Sequence, residues 1–162
     1  MLIEHAVEVA APCQLVLQAL AELSGKDLAV IAGAATSSGE ALLEQSKLLP
    51  LDEATRCHFG AQLGRPVGRG QTTVFPLRWW NDKSRSLTPG FIGELQVRPL
   101  CDELTKLAIV GQYHPRAHLY ELVDPAFLGR LATGVVACFL DRLAERILTL
   151  TPSPATVHAI AS

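Results

Sequence analysis

The sequence predicts an α+β domain, a curved antiparallel β-sheet wrapped around one long C-terminal α-helix. Three observations predict it. Residues Pro125 to Thr149 carry one helical period, and four alternating segments between Arg56 and Tyr113 are joined by turns with no helical pattern between them. One further strand and a short helix come first. In the long helix, Phe127, Leu131, Val135, Phe139, Leu143 and Ile147 recur at four-residue steps, and Leu128, Val136 and Leu140 widen the apolar stripe. Asp124 suits the N-cap, and Pro125 suits the first helical position, where a missing N–H has no intrahelical partner to lose. From Leu131 to Leu140 no residue is charged, so the middle of this helix is expected to be covered nearly all round.

The first strand is expected at Leu2–Ala10, where Ile3, Val7 and Val9 alternate with Glu4 and Glu8. Pro12 ends it. Gln14–Leu23 gives a short helix with Leu15, Ala19, Leu20 and Leu23 on one side, stopped by Ser24-Gly25. Between Lys26 and Asp52 the signal is weak, and Ser37-Ser38-Gly39-Glu40 reads as the cap of a short helix that runs to Lys47 before Pro50.

Strands follow at Arg56–Leu63 and Gln71–Trp80, with the Gly- and Pro-rich stretch from Gly64 to Gly70 as their hairpin connection. Pro76 argues that the second of these lies at an edge or carries a bulge, because proline has no N–H for a ladder. Asn81–Gly90 is a polar loop. Phe91–Leu100 sets Leu95 and Val97 against Glu94, Gln96 and Arg98. After a tight turn at Cys101-Asp102-Glu103, Leu104–Tyr113 sets Leu107, Ile109 and Gly111 against Lys106, Ala108 and Val110. Residues 1–150 form one expected domain, and 151–162, beginning Thr151-Pro152-Ser153-Pro154, a loosely ordered tail.

Composition narrows the function classes. The chain has 162 residues, enough to bury a core without disulfides or a metal, and is 49% hydrophobic but only 19% charged. That balance suits a deeply covered core, an internal cavity or a subunit interface. The formal net charge of −2, with Lys and Arg scattered, lacks the basic footprint of a nucleic-acid binder. No stretch approaches the roughly 18 apolar residues of a membrane span, and no basic residue precedes Lys26 to suggest a secretory signal. The four cysteines, Cys13, Cys57, Cys101 and Cys138, stand about forty residues apart. Without paired spacing they read as buried reduced thiols of a cytoplasmic protein rather than as a zinc or redox site.

The middle of the chain carries a resemblance. Phe59-Gly60 through Leu63-Gly64, then Phe75-Pro76-Leu77-Arg78-Trp79-Trp80 and Pro89-Gly90-Phe91-Ile92-Gly93-Glu94-Leu95, resemble an uncharacterised bacterial branch of the START-like superfamily (SRPBCC). Pro99-Leu100 and the alternating Thr105, Leu107, Ile109, Gly111 and Tyr113 match it as well. That superfamily includes polyketide cyclase/dehydrase-like and lipid-transfer proteins. The resemblance implies the helix-grip fold, with a cavity between sheet and C-terminal helix. Related chains continue after the tyrosine with a Pro-Pro-x-Gly-rich loop at the cavity mouth, whereas this one reads Tyr113-His114-Pro115-Arg116-Ala117-His118.

In such a fold Phe75, Leu77, Trp79, Leu95, Ile109, Tyr113, Leu131 and Val135 are the expected apolar lining, with His58 and the Tyr113 hydroxyl as polar handles. Arg78 and Trp80 share one face of their strand, and Phe75, Leu77 and Trp79 share the other. If the aromatic face turns inward, Arg78 is solvated; in the opposite phase it is a buried cation in need of a carboxylate. Arg78, Asp82 and His114 are the acid–base candidates. His114 and His118 are spaced for a metal on a helix, but Pro115 disfavours helix there and no third ligand is evident, so neither metal nor cofactor is expected. Small residues at Gly129, Thr133, Gly134 and Ala137 either admit close packing or leave room beneath the sheet. The expected function is binding or transport of a small hydrophobic or amphipathic ligand. A polyketide cyclase/dehydratase-type enzyme is the alternative, and a regulatory interaction domain or homodimer with a filled cavity is a third class.

Overall fold

The computed structural model describes residues 1–45, 59–81, 90–114 and 124–151. Along the chain come β1 (Leu2–Val9), α1 (Cys13–Glu22), α2 (Gly25–Gln45), β2 (Phe59–Leu63), β3 (Val67–Arg69), β4 (Thr72–Asn81), β5 (Gly90–Cys101), β6 (Leu104–His114) and α3 (Pro125–Leu150). The strands form one sheet in the order β1-β6-β5-β4-β2, with β3 beside the start of β4, and every pairing is antiparallel. Sheet plus long closing helix is the α+β helix-grip arrangement that the sequence predicts. The expected tail beyond Thr151 lies outside the described residues.

Alternation decides which face of the sheet is covered. Leu95, Val97, Leu107 and Ile109 are wholly buried, whereas Arg98 and Lys106 on the opposite face are exposed. Asp102 and Glu103 form the two-residue turn between β5 and β6, which pairs Cys101 with Leu104, and an irregularity between Pro99 and Cys101 moves the rest of the ladder by one residue. Most buried residues of β1, α1, α2, the inner sheet face and α3 belong to one cluster, so the helices and sheet share a core, with Leu128 and Leu131 in a smaller one.

Helix α3 starts and ends for visible reasons. The Asp124 side chain accepts a hydrogen bond from the Ala126 N–H at 2.7 Å, and Pro125 occupies the first turn. At the other end the Thr151 N–H donates to the Ile147 carbonyl. Leu128, Leu131, Val135, Phe139, Leu143 and Ile147 are buried along one side. The expectation that its middle is covered all round is corrected: Thr133 is exposed and Gly134 half-buried, so one flank of the charge-free stretch is open.

The weakly patterned segment also differs from expectation. Gly25–Gln45 is a single helix, and Ser37-Ser38-Gly39-Glu40 lies inside it instead of capping a shorter one. Its start is a reciprocal cap: the Ser24 hydroxyl oxygen accepts from the Asp27 N–H at 3.1 Å, and the Asp27 carboxylate accepts from the Ser24 N–H at 3.1 Å. Ser24-Gly25 thus both ends α1 and launches α2. Leu28, Ile31, Ala32 and Ala35 bury its inner face at helical spacing. The hydroxyls of Thr36 and Ser38 turn back to the carbonyls of Ala32 and Ala34, so neither competes for the main-chain ladder from outside.

Two smaller readings change. Of the two readings of Pro76, the edge position is overturned, since β4 is interior with β5 on one side and β2 and β3 on the other. The irregularity holds: the register moves by one residue between the Leu63–Leu77 and Val67–Val74 pairs. The proline is tolerated because β2 stops at Leu63 and β3 starts at Val67. The Pro76 carbonyl accepts from the Gly64 N–H at 2.6 Å, so the side of β4 lacking an N–H faces that interruption. The cysteines are not all buried either: Cys101 is exposed beside the β5–β6 turn, Cys13 and Cys138 are half-buried, and all three are free thiols. Cys57 lies outside the described residues.

Candidate functional site

Between the sheet and α3 stands a column of aromatic rings built on a pair of glycines. Gly93 and Gly111 face each other across β5 and β6. A Cβ on Gly111 would stand 2.5 Å from Phe91 Cζ and 2.6 Å from the Gly93 Cα; one on Gly93 would stand 2.4 Å from the Val110 carbonyl oxygen. Only glycine lets the Phe91 ring lie there. Trp79 stacks on Phe91 with centroids 4.4 Å apart and planes 16° from parallel, and Phe139 of α3 stacks on the other side of Trp79 at 4.5 Å and 19°. The three rings are essentially inaccessible, Trp79 at 2% and the two phenylalanines at 0%. They join sheet to helix with side chains.

The apolar residues expected to line a cavity are turned to this inner side. Phe75, Leu77, Trp79, Leu95, Ile109, Tyr113 and Val135 are buried in the main cluster, and Leu131 is buried with Leu128 in a smaller one against Met1 and Phe127. The inward phase of β4 puts Arg78 outside. Its guanidinium donates to the Gln62 side-chain oxygen from Nε at 3.0 Å and lies 5.4 Å from the Trp80 ring, which in turn covers Gly60. His114, at the exposed end of β6, shares the outward register. These two acid–base candidates therefore stand on the face opposite Tyr113. Asp82, His58 and His118 lie outside the described residues. Among the described residues, no three His, Cys, Asp or Glu side chains are grouped to hold a metal.

An opening among the described residues lies elsewhere. A groove of about 820 Å³ runs between the first residues of β1 and the first half of α3. Among the described residues it is lined by Met1, Leu2, Ile3, Ala126, Gly129, Arg130, Thr133 and Gly134. A Cβ on either Gly129 or Gly134 would meet nothing within 4 Å, so these glycines leave space instead of admitting a neighbour. That choice, left open by the sequence, is decided by geometry. Met1 connects the groove to the core: it exchanges main-chain hydrogen bonds with Tyr113 (2.8 and 2.9 Å) and packs against Leu128 and Leu131. Sequence reasoning missed Arg130, Ile3 and Met1 as site residues, because only the pairing of β1 beside α3 brings them together.

Charge in this region is sparse. Arg130 is exposed, with its guanidinium carbon 5.7 Å from the Phe127 ring centroid, and no carboxylate among the described residues pairs with it. Thr133 donates its hydroxyl to the Gly129 carbonyl at 2.9 Å. Far from the groove, burial pushes the Cys13 thiol above its ordinary value, opposed by a hydrogen bond with the Thr105 side chain.

The fold defines the class: an α+β helix-grip domain, a curved antiparallel sheet closed by one long helix. A conserved protein from Geobacillus kaustophilus is similar over 92% of this chain and 96% of its own, with a TM-score of 0.51 at 12% identity. The Zhui aromatase/cyclase from Streptomyces sp. R1128 aligns over 94% of this chain and 96% of its own, at 16% identity and a TM-score of 0.45. A protein from Thermus thermophilus aligns over 94% and 100%, at 15% identity and 0.44. The likeness to the Geobacillus kaustophilus protein is one of fold alone. No family model and no curated protein sequence matches the chain. Among the described residues no helix is long and apolar enough to cross a membrane.

Proposed function

We propose that the protein binds a small hydrophobic or amphipathic molecule, of lipid, polyketide or isoprenoid type, in the groove between β1 and α3. The groove itself carries this reading. Its volume of about 820 Å³ falls within the roughly 300–1,000 Å³ of small-molecule sites. Its walls are mostly apolar, and Gly129 and Gly134 border it with open space where their side chains would be. Keeping glycine in a helix interior costs about 1 kcal/mol relative to alanine, and with nothing packed on these two the compensating benefit is the space. The aromatic column supports a ligand at the rim over one in the deep core, since both faces of Trp79 are occupied. Among the described residues, none of those expected to line a cavity borders the groove; Tyr113 and Leu131 are tied to it only through Met1. A binding role, in preference to cyclase or dehydratase chemistry, accords with Arg78 and His114 standing on the outer face.

Native mass spectrometry of the purified protein, with organic extraction of whatever it carries, tests this. The expected result is an apolar adduct near one-to-one, taken up from solution if not retained, and lost in Gly134→Leu, whose side chain projects into the groove. A clean apo mass with no uptake of an added apolar probe would overturn the proposal.

A further inference from the structure

Resting on that reading, we infer that the ligand is an anionic amphiphile whose acid group is held by Arg130. Arg130 is the only charged side chain lining the groove among the described residues. Among the described residues no aspartate or glutamate pairs with it: Asp124 is engaged with the Ala126 N–H, and Glu4, two residues beyond Leu2, is not part of the lining. An arginine paired with a carboxylate would be internally neutralised; among the described residues this one has no such partner. Its contact with the Phe127 ring leaves the five guanidinium N–H groups free of protein acceptors among the described residues, a planar fork matched to carboxylate or phosphate oxygens.

The other lining groups favour the same division of the ligand. Ile3, Ala126, Gly129 and Gly134 offer only apolar surface or open space beside the helix. The one side-chain hydroxyl, that of Thr133, has its proton committed to the Gly129 carbonyl, so it offers no strong donor to a neutral polar head. An acid head on Arg130 with an apolar tail running along Gly134 and Ile3 matches charge to charge and hydrocarbon to hydrocarbon. Carboxylate and phosphate share the required chemistry.

Titration calorimetry with dodecanoate, dodecyl phosphate and neutral dodecanol, each below its aggregation concentration, separates the possibilities. The wild-type protein is expected to bind the two anions more tightly than dodecanol. Arg130→Gln is expected to weaken the anions on the order of tenfold and leave dodecanol unchanged. Gly134→Leu is expected to weaken all three. Whichever anion loses more in Arg130→Gln identifies the head group. Equal binding of anion and alcohol, or no effect of Arg130→Gln, would overturn the anionic assignment while leaving the groove as the site. If none of the three binds the wild-type protein, or Gly134→Leu leaves their binding unaltered, the groove reading fails together with this one.

Discussion

Two glycine pairs on opposite sides of the same core do opposite things. Gly93 and Gly111, in the middle of the sheet, have no room for even one methyl group, because Phe91 and the facing backbone already occupy it. Gly129 and Gly134, on α3, have room to spare. The first pair allows the space between sheet and helix to be filled by stacked rings; the second leaves a groove unfilled beside β1. Among the described residues, stacked rings thus fill the space between sheet and α3, and a groove opens beside β1. The meaning of a glycine lies in what a side chain there would meet, and the same residue type serves tight packing in one place and vacancy in another.

Substitutions can break this contrast, and the largest effect belongs to the filled side. Trp79→Ala removes the middle ring of the column and leaves a cavity bounded by Phe91 and Phe139. We expect a loss of about 4 kcal/mol in urea unfolding; a loss below about 1 kcal/mol would mean that the column does not carry the core. Gly111→Ala comes next, at about 3 kcal/mol destabilising, since its new methyl collides with backbone atoms that cannot swing aside.

Gly134→Ala should go the other way. It meets nothing and gains helix propensity, so we expect about 1 kcal/mol of stabilisation, which raises the melting temperature by roughly 3 °C. Opposite signs for Gly111→Ala and Gly134→Ala sharpen the comparison, whereas a shared sign would dissolve it.

The smallest effect concerns pH. The Asp27 carboxylate is held below its ordinary value by hydrogen bonds from the Ser24 hydroxyl and backbone N–H, with a further contribution from Arg146 of α3 at 3.6 Å. A depressed carboxylate contributes stability that is present above its unfolded value, about 3.9, and lost as pH falls through the lower folded one. Asp27→Asn should therefore flatten the acid limb of a stability-against-pH curve below about pH 4 and leave its dependence near neutrality unchanged.

Much of the frame was legible because local signals and the fold agree. Asp124-Pro125 and the four-residue repeat placed α3, and the alternation on either side of Asp102-Glu103 placed β5 and β6 in the right phase. Phe75, Leu77 and Trp79 face inward for the same reason. Helix α2 was obscured twice over. Its cap at Ser24 and Asp27 also resembles a helix stop, and Ser37-Ser38-Gly39 looks like a break, although the hydroxyls of Thr36 and Ser38 bond within the helix.

The groove was hidden for a different reason. An uncharged run from Leu131 to Leu140 fits a helix covered on every side as well as one with an open flank, and no local pattern separates them. Arg130 could not be singled out because its significance comes from Met1, Leu2 and Ile3, over a hundred residues away in the chain.

The central claim, a filled core beside an open groove, is tested most directly by backbone and indole chemical shifts recorded as dodecanoate is added to isotope-labelled protein. The account predicts shifts concentrated at Met1–Ile3 and Ala126–Gly134, with the Trp79 indole and the amides of Leu95 and Ile109 unmoved. Large shifts at Trp79, Leu95 and Ile109, with the groove residues silent, would contradict it and place the ligand inside the core.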